Sequence, residues 1–218
     1  MALAFFDLDN TLVAGDTAQA FAEYMAANEL PTPSNFLAVN HAYMADYDAG
    51  NLNLADYMRY TLSPLFGLNA ETIAAFIERF IQDVVVSMTL PKAQALIQQH
   101  QDAGDEVVII SATGIHLVAP IARYLGVKHA LGVDIEIKNG HITGELTGVP
   151  TFREGKVTRA LQWAQEQGYE MTDTYFYSDS HNDIPLLEKA LYPVAVDPDP
   201  ILAATAQAKN WPIISLRQ

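Results

Sequence analysis

Asp7 and Asp9, in the stretch FFDLDNTL, stand two residues apart directly after an apolar run. In an extended chain such residues point to one side. Two carboxylates about 4 Å apart repel by roughly 4 kcal/mol at an effective dielectric near 20, and a divalent cation is the usual compensation. A second pair, Asp179 and Asp183, follows the apolar run of YFYSDSHNDIPLL. If a helix opens near Asn182, Asp183 falls in its first turn, beside unsatisfied N–H groups. Capping accounts for one such acid; two pairs after two apolar runs ask for a cation. Oxygen ligands and the absence of cysteine favour Mg²⁺ over zinc. An EF-hand loop is the competing reading of DLDNT, but Leu12 takes the place of the loop glycine and Ala18 that of the terminal Glu.

Two other positions invite attention. Ser111, in IISATG, has a hydroxyl and a following loop whose N–H groups suit phosphate oxygens; a simple strand-end cap is the alternative. Lys156, in REGKVTRAL, falls at a helix start, the wrong end for a cation by the dipole rule. A lysine there needs either a compensating anion or full solvation.

The elements that must position these residues are legible as short runs. LAFF (3–6) ends at Asp7, VVII (107–110) at Ser111 and TYFYS (174–178) at Asp179. Continuous apolar runs of this length suit strands buried on both faces of a parallel sheet. PVAV (193–196) and PIIS (212–215) extend the same sheet, each with its proline at the start of the run. Helical patterns lie between, over 91–103, which begins at Pro91 and stops at Gly104, and over 155–167, which stops at Gly168. Alternating strand and helix predicts an α/β fold with a doubly wound, Rossmann-like parallel sheet, in which ligands sit beyond the carboxyl ends of the strands.

Residues 15–88 break the alternation. They carry apolar stripes at Ala18, Phe21, Ala22, Met25 and at Ile73, Phe76, Ile77, Phe80. We expect a helical cap domain over 15–88, inserted after the first strand, and a catalytic core over 1–14 and 89–218. The hinges would be VAGD (13–16) and SMTLP (87–91). Within the core, residues 133–146 place Asn139-Gly140 between alternating runs, a hairpin signal.

Composition narrows the partners. The formal charge of −14, with no Lys or Arg before Arg59, opposes nucleic-acid binding. No run is long and apolar enough for a membrane span, and MALAFFD lacks the basic start of a signal peptide. A cytoplasmic protein without disulfides is the expectation.

DLDNT, SATG, GK and SDSHND, in that order, resemble the four-motif signature of the haloacid dehalogenase superfamily of phosphohydrolases. More narrowly, the chain resembles the branch containing phosphoserine phosphatase, whose helical cap lies between the first and second motifs. The resemblance implies a Mg²⁺-dependent phosphatase acting on a small phosphomonoester. In it Asp7 is the nucleophile that forms an aspartyl phosphate. Asp9 is the acid that protonates the leaving oxygen and then the base that activates water, and its backbone carbonyl binds metal. Thr11 supports the loop, Ser111 and Lys156 hold phosphoryl oxygens, and Asn182 contacts phosphate or substrate. Asp179 ligates Mg²⁺ beside Asp7 and Asp9, with Asp183 as a further ligand or close neighbour. A phosphotransferase or mutase would use the same Asp7 chemistry, and a non-catalytic phosphate-binding module is a third reading.

Substrate choice rests on the cap. Asp16 stands where phosphoserine phosphatases carry a Glu that meets the substrate amine; it is equally a good helix cap before TAQAF. Arg59 stands where those enzymes bind the substrate carboxylate, and a pair with Asp56 is its alternative. Amino-alcohol phosphates such as histidinol phosphate need the anion but no carboxylate reader. A small, amine-bearing phosphomonoester such as phosphoserine or histidinol phosphate is therefore the expected substrate.

Overall fold

The structure is a computed structural model and describes residues 1–28 and 30–217. Its strands are β1 (Leu3–Phe6), β2 (Glu106–Gly114), β3 (His129–Val133), β4 (Ile135–Lys138), β5 (His141–Leu146), β6 (Thr174–Ser178), β7 (Tyr192–Val196) and β8 (Ile213–Ile214). Six of them make one sheet in the order β3-β2-β1-β6-β7-β8, every pair parallel. β1 lies at the centre, so Leu3 to Phe6 are buried on both faces. Its side chains alternate between two apolar layers. Ala4 and Phe6 face one, and Leu3 and Phe5 face the other. This accounts for the uninterrupted apolar run before Asp7.

Helices cover both faces, which makes the fold α/β and doubly wound. Helices α1 (Thr17–Ala27), α2 (Phe36–Asp48), α3 (Leu54–Leu62), α4 (Ala70–Phe80) and α5 (Val86–Met88) occupy the segment between β1 and β2, with a π-helical turn (Ile81–Val85) joining the last two. They are followed by α6 (Pro91–Asp102), then α7 (Ile115–Tyr124) after β2. Ala93 and Ile97 of α6 and Leu117 and Ile121 of α7 pack in the layer that holds Phe6. On the opposite face α8 (Glu154–Gln167), α9 (Ile184–Leu187) and α10 (Pro200–Lys209) contribute Ala160, Trp163, Leu186, Leu202 and Ala206. No helix among the described residues is long and apolar enough to cross a membrane.

Several expected elements take modified form. β2 runs past Ser111 to Gly114, with a register irregularity against β3 between Ile110 and Gly114. That break sits at the sheet edge where ligands are expected. β3, α7 and α10 escaped the sequence reading. β3 is a short, half-buried edge strand containing Gly132, and α7 carries Pro120 in its interior. Asn139 and Gly140 both have positive φ, 53° and 80°, the geometry of a two-residue type I′ hairpin turn between β4 and β5. The two expected hinges lie side by side. Val13 bridges to Thr89, Ala14 N–H donates to Met88 O at 2.7 Å and Leu90 N–H to Leu12 O at 3.3 Å.

Candidate active site

The carboxyl ends of β1, β2 and β6 bring the four acids and Lys156 to one place. Asp7 follows Phe6 directly, and its N–H donates to Tyr177 O at 2.9 Å across the sheet. Lys156 Nζ donates to Asp7 Oδ1 and to Asp183 Oδ2, both at 2.7 Å. All three residues are buried, and the compensating anions that a first-turn lysine requires are thereby identified. Asp183 Oδ2 also accepts from Ser178 Oγ at 2.7 Å.

Gly155 makes this placement of Lys156 possible. A Cβ at Gly155 would lie 1.9 Å from Pro150 O, so only glycine lets the start of α8 come that close to the preceding loop.

Asp9 is held by a different set of groups. Its Oδ1 accepts from Thr17 N–H and Thr17 Oγ1, both at 2.6 Å. Its Oδ2 accepts from Ser111 Oγ at 3.1 Å and Thr113 Oγ1 at 2.8 Å. Three of these four partners are hydroxyls, which either donate or accept. The surroundings therefore serve Asp9 with or without its proton. Ser111 lines the cavity, but its hydroxyl is committed to Asp9 and accepts from Thr113 N–H at 3.0 Å. Thr11 is fully buried and serves Asp179: Oγ1 donates to Asp179 Oδ1 at 3.2 Å and accepts from Asp179 N–H at 3.1 Å.

Electrostatics follow from this crowding. Burial pushes Asp7 well above the usual carboxylate range; Lys156 opposes the shift, and Asp183, Asp179 and Asp9 add to it. Burial and then Asp183 push Asp179 up to about 7. Burial alone would lower Lys156, but Asp183 and Asp7 outweigh it and hold the ammonium above its ordinary value. Four carboxylates against one ammonium leave an excess of negative charge that a hard cation would relieve.

The donors fit such an ion in part. Both Asp9 carboxylate oxygens accept hydrogen bonds, and Asp183 is absent from the cavity lining. This leaves Asp7 and Asp179 as the carboxylates that face the cavity with capacity for a cation. Among the described residues no group of three His, Cys, Asp or Glu side chains is arranged to hold a metal. Mg²⁺ needs no such cage, because it keeps waters and takes one or two carboxylates plus substrate phosphate.

A cavity of about 470 Å³ opens in front of these acids. The helical segment contributes Met44, Tyr47, Leu52, Tyr57 and Asp16 to its lining. Asp16 caps α1, accepting from Gln19 N–H at 2.8 Å. Burial raises the Tyr57 hydroxyl above its ordinary value, with Asp16 and Asp9 adding to the effect. The Tyr47 hydroxyl is raised by burial and then by Asp183, Asp7 and Asp179. His181 and Asp199 close another side, Nδ1 to Oδ2 at 2.9 Å. Asn182 is 3% exposed and accepts from Arg153 Nε at 3.0 Å through Oδ1.

Arg59 lies apart from the others. It pairs with Glu145 of β5 at 2.5 Å, half exposed, and not with Asp56; it is absent from the cavity lining. Sequence reasoning missed Thr17, Thr113, Tyr47 and Arg153. Thr113 carried a signal, since it lies two residues beyond Ser111 and so shares its side of an extended chain. Nothing local marked Tyr47, which a helix outside the sheet delivers.

Comparison with known proteins agrees with this geometry. The family description haloacid dehalogenase-like hydrolase matches residues 4–188. The chain is 36% identical over 99% of its length to a histidinol-phosphatase of Neisseria meningitidis, of which it covers 99%. It is 33% identical over 99% of its length to the phosphoserine phosphatase SerB1 of Mycobacterium tuberculosis, of which it covers 71%. Among solved structures, a protein of unknown function from Bordetella pertussis superimposes with a TM-score of 0.92 at 37% identity, covering 99% of this chain and 98% of that one. A phosphoserine phosphatase solved as an analogue of the phospho-aspartyl intermediate shares the fold, with a TM-score of 0.71 at 22% identity, covering 100% of this chain and 94% of that one.

Proposed function

We infer that this chain, which belongs to the haloacid dehalogenase-like hydrolases and is a phosphoric monoester hydrolase, acts on a small amine-bearing ester through an aspartyl phosphate on Asp7. Histidinol phosphate fits its cavity better than phosphoserine. One observation carries the substrate reading: among the described residues lining the cavity there is no Lys and no Arg, while Asp16 is part of that lining. A substrate carboxylate buried there would lack a cation, at a cost of several kcal/mol. A substrate ammonium would meet Asp16. Arg59, which stands where phosphoserine phosphatases bind the substrate carboxylate, is paired with Glu145. The full-length similarity to a protein named histidinol-phosphatase supports the same choice.

In the reaction an Asp7 oxygen attacks phosphorus, the bond from phosphorus to the alcohol oxygen breaks, and that oxygen takes the Asp9 proton. Asp9 then removes a proton from water, the water oxygen attacks phosphorus, and the bond to Asp7 breaks. Phosphate leaves, and Asp9 is again protonated. Lys156 orients Asp7 and offsets its charge as the phosphoryl dianion approaches. Ser111, Thr113 and Thr17 hold the Asp9 carboxyl in place through both steps. Mg²⁺, bound by Asp7, Asp179 and the Asp9 carbonyl, would neutralise charge on the phosphoryl oxygens.

The test is kcat/KM for histidinol phosphate, phosphoserine and an aryl phosphate, in the wild type and in Asp16→Ala. Histidinol phosphate should exceed phosphoserine by about 100-fold or more in the wild type. Losing the charged contact should raise KM for the amine ester about 10–100-fold and leave the aryl phosphate nearly unchanged. Equal use of phosphoserine, or equal effects of Asp16→Ala on both esters, would overturn the substrate reading.

A further inference from the structure

Arg153 holds a backbone conformation that arginine rarely adopts. Gly155 N–H donates to Phe152 O at 2.9 Å, closing a tight turn over residues 152–155. Arg153 takes its first corner at φ 52°, ψ −124°, a place ordinarily given to glycine. Such strain persists only where surrounding contacts hold it, and those contacts are the clue to its use.

The guanidinium makes two hydrogen bonds to distant parts of the chain. Nε donates to Asn182 Oδ1 at 3.0 Å, and Nη2 donates to Gly50 O at 2.6 Å, just past α2. Gly50 has φ +73°, and a Cβ there would stand 2.3 Å from Nη2, so the helical segment leaves room for this side chain alone. Phe152 packs its ring beneath the guanidinium at 5.0 Å and against Tyr47 at 5.6 Å. One arginine thus joins the loop before Lys156, the segment carrying α2, and Asn182.

The Asn182 contact has a direction. A guanidinium only donates, so the amide oxygen must face it, and Nδ2 must point the other way. That Nδ2 is buried and has no hydrogen-bond partner, on a residue that lines the cavity. A buried donor without a partner is costly, and a phosphoryl oxygen in front of Asp7 would satisfy it.

We propose that Arg153 is a positioning residue: it turns the Asn182 amide so that Nδ2 donates to the substrate phosphoryl group, and its grip on Gly50 ties that orientation to closure of the helical segment. The proposal rests on the phosphatase reading above. With the segment open, the bond to Gly50 is lost and the guanidinium is no longer fixed at both ends.

Arg153→Gly provides the test, because glycine removes the side chain and the strain together. Wild type, Arg153→Gly, Asn182→Ala, the double variant and Gly50→Ala would be compared for thermal midpoint, kcat/KM and inhibition by inorganic phosphate. The expected Arg153→Gly protein melts no lower than wild type, loses about 10–100-fold in kcat/KM and binds phosphate more weakly by a similar factor. In the Asn182→Ala background the same change should cost less than about 2-fold. Gly50→Ala, which displaces the guanidinium and also strains the backbone at φ +73°, should reproduce the loss in kcat/KM beyond any fall in its melting point. Independent losses that multiply in the double variant would overturn the proposal, as would a kcat/KM that falls only in step with the melting point. Unchanged activity in Gly50→Ala would overturn the link to closure. A wild-type protein that hydrolyses no phosphomonoester would instead remove the underlying phosphatase reading.

Discussion

Lys156 stands in the first turn of α8, against the helix dipole, because Asp7 and Asp183 both receive its ammonium at 2.7 Å. The remaining carboxylates lack such a partner, and this sets a pH dependence with a definite sign. The Asp179 carboxyl ionises near 3.8 ordinarily, and burial beside Asp183 pushes it up to about 7 in the folded protein. Between those values the folded state holds a proton that the unfolded chain has released, so stability falls as pH rises. Asp7 is shifted in the same direction. Lys156 is shifted upward from 10.5, so its contribution is constant over this window and is lost only in more alkaline solution. Over the same window His116, lowered to about 4 by burial, acts in the opposite direction. The comparison is therefore made in a His116→Asn background, where the metal-free protein should melt lower at about pH 8 than at about pH 5. Mg²⁺ at about a hundredfold excess over Kd should restore about 2.7 kcal/mol, or about 5–10 °C, at the higher pH and much less at the lower. Melting curves at both pH values, with and without Mg²⁺, check this. An equal Mg²⁺ effect at both would contradict it.

At the scale of elements, placement depends on three strand ends and one glycine. β1, β2 and β6 are neighbours in the sheet, so Asp7, Ser111 and Asp179 meet although they are far apart in sequence. Gly155 sets the start of α8 and, through it, Lys156. Gly155→Ala would press a Cβ against Pro150 O, a backbone atom poorly able to yield. We expect a loss of at least about 2 kcal/mol, with turnover falling more than stability because Lys156 shifts away from Asp7. Thermal melts beside kcat would show it, and unchanged values would remove Gly155 from the account. The central strands and the hairpin were legible because burial on both faces and Asn139-Gly140 leave strong local marks. β3 was not, being a short edge strand that reads as a loop. The four acids and Lys156 were legible from spacing and from charge in unfavourable positions. Arg59 pairs with Glu145 in place of Asp56, because the hairpin that supplies this partner lies far along the chain and leaves no mark in the local spacing. Arg153 was silent, since its strain and its two hydrogen bonds exist only once the chain has folded.

Across the whole molecule the net charge is −14, yet the substrate is an anion. Favourable local fields must therefore be built at the site, where Lys156 lies beside Asp7 and the acid edge is suited to a cation. Linkers pairing beside Thr89 join the helical segment to the sheet, and Tyr47, Tyr57 and Asp16 from that segment complete the cavity. The fold thus brings two layers together around one carboxylate, and the account stands or falls on Asp7 becoming phosphorylated. An aryl phosphate, whose leaving group needs no proton, allows the first step without the acid. Asp9→Asn should then stall at the second step, where the base is needed. Rapid mixing of that variant with an aryl phosphate and Mg²⁺, followed by acid quench and peptide mass mapping, is the direct measurement. The account predicts a burst of phenolate stoichiometric with enzyme and a phosphoryl group on Asp7. Phosphate release by the wild type, with neither a burst nor an Asp7 adduct in Asp9→Asn, would contradict it.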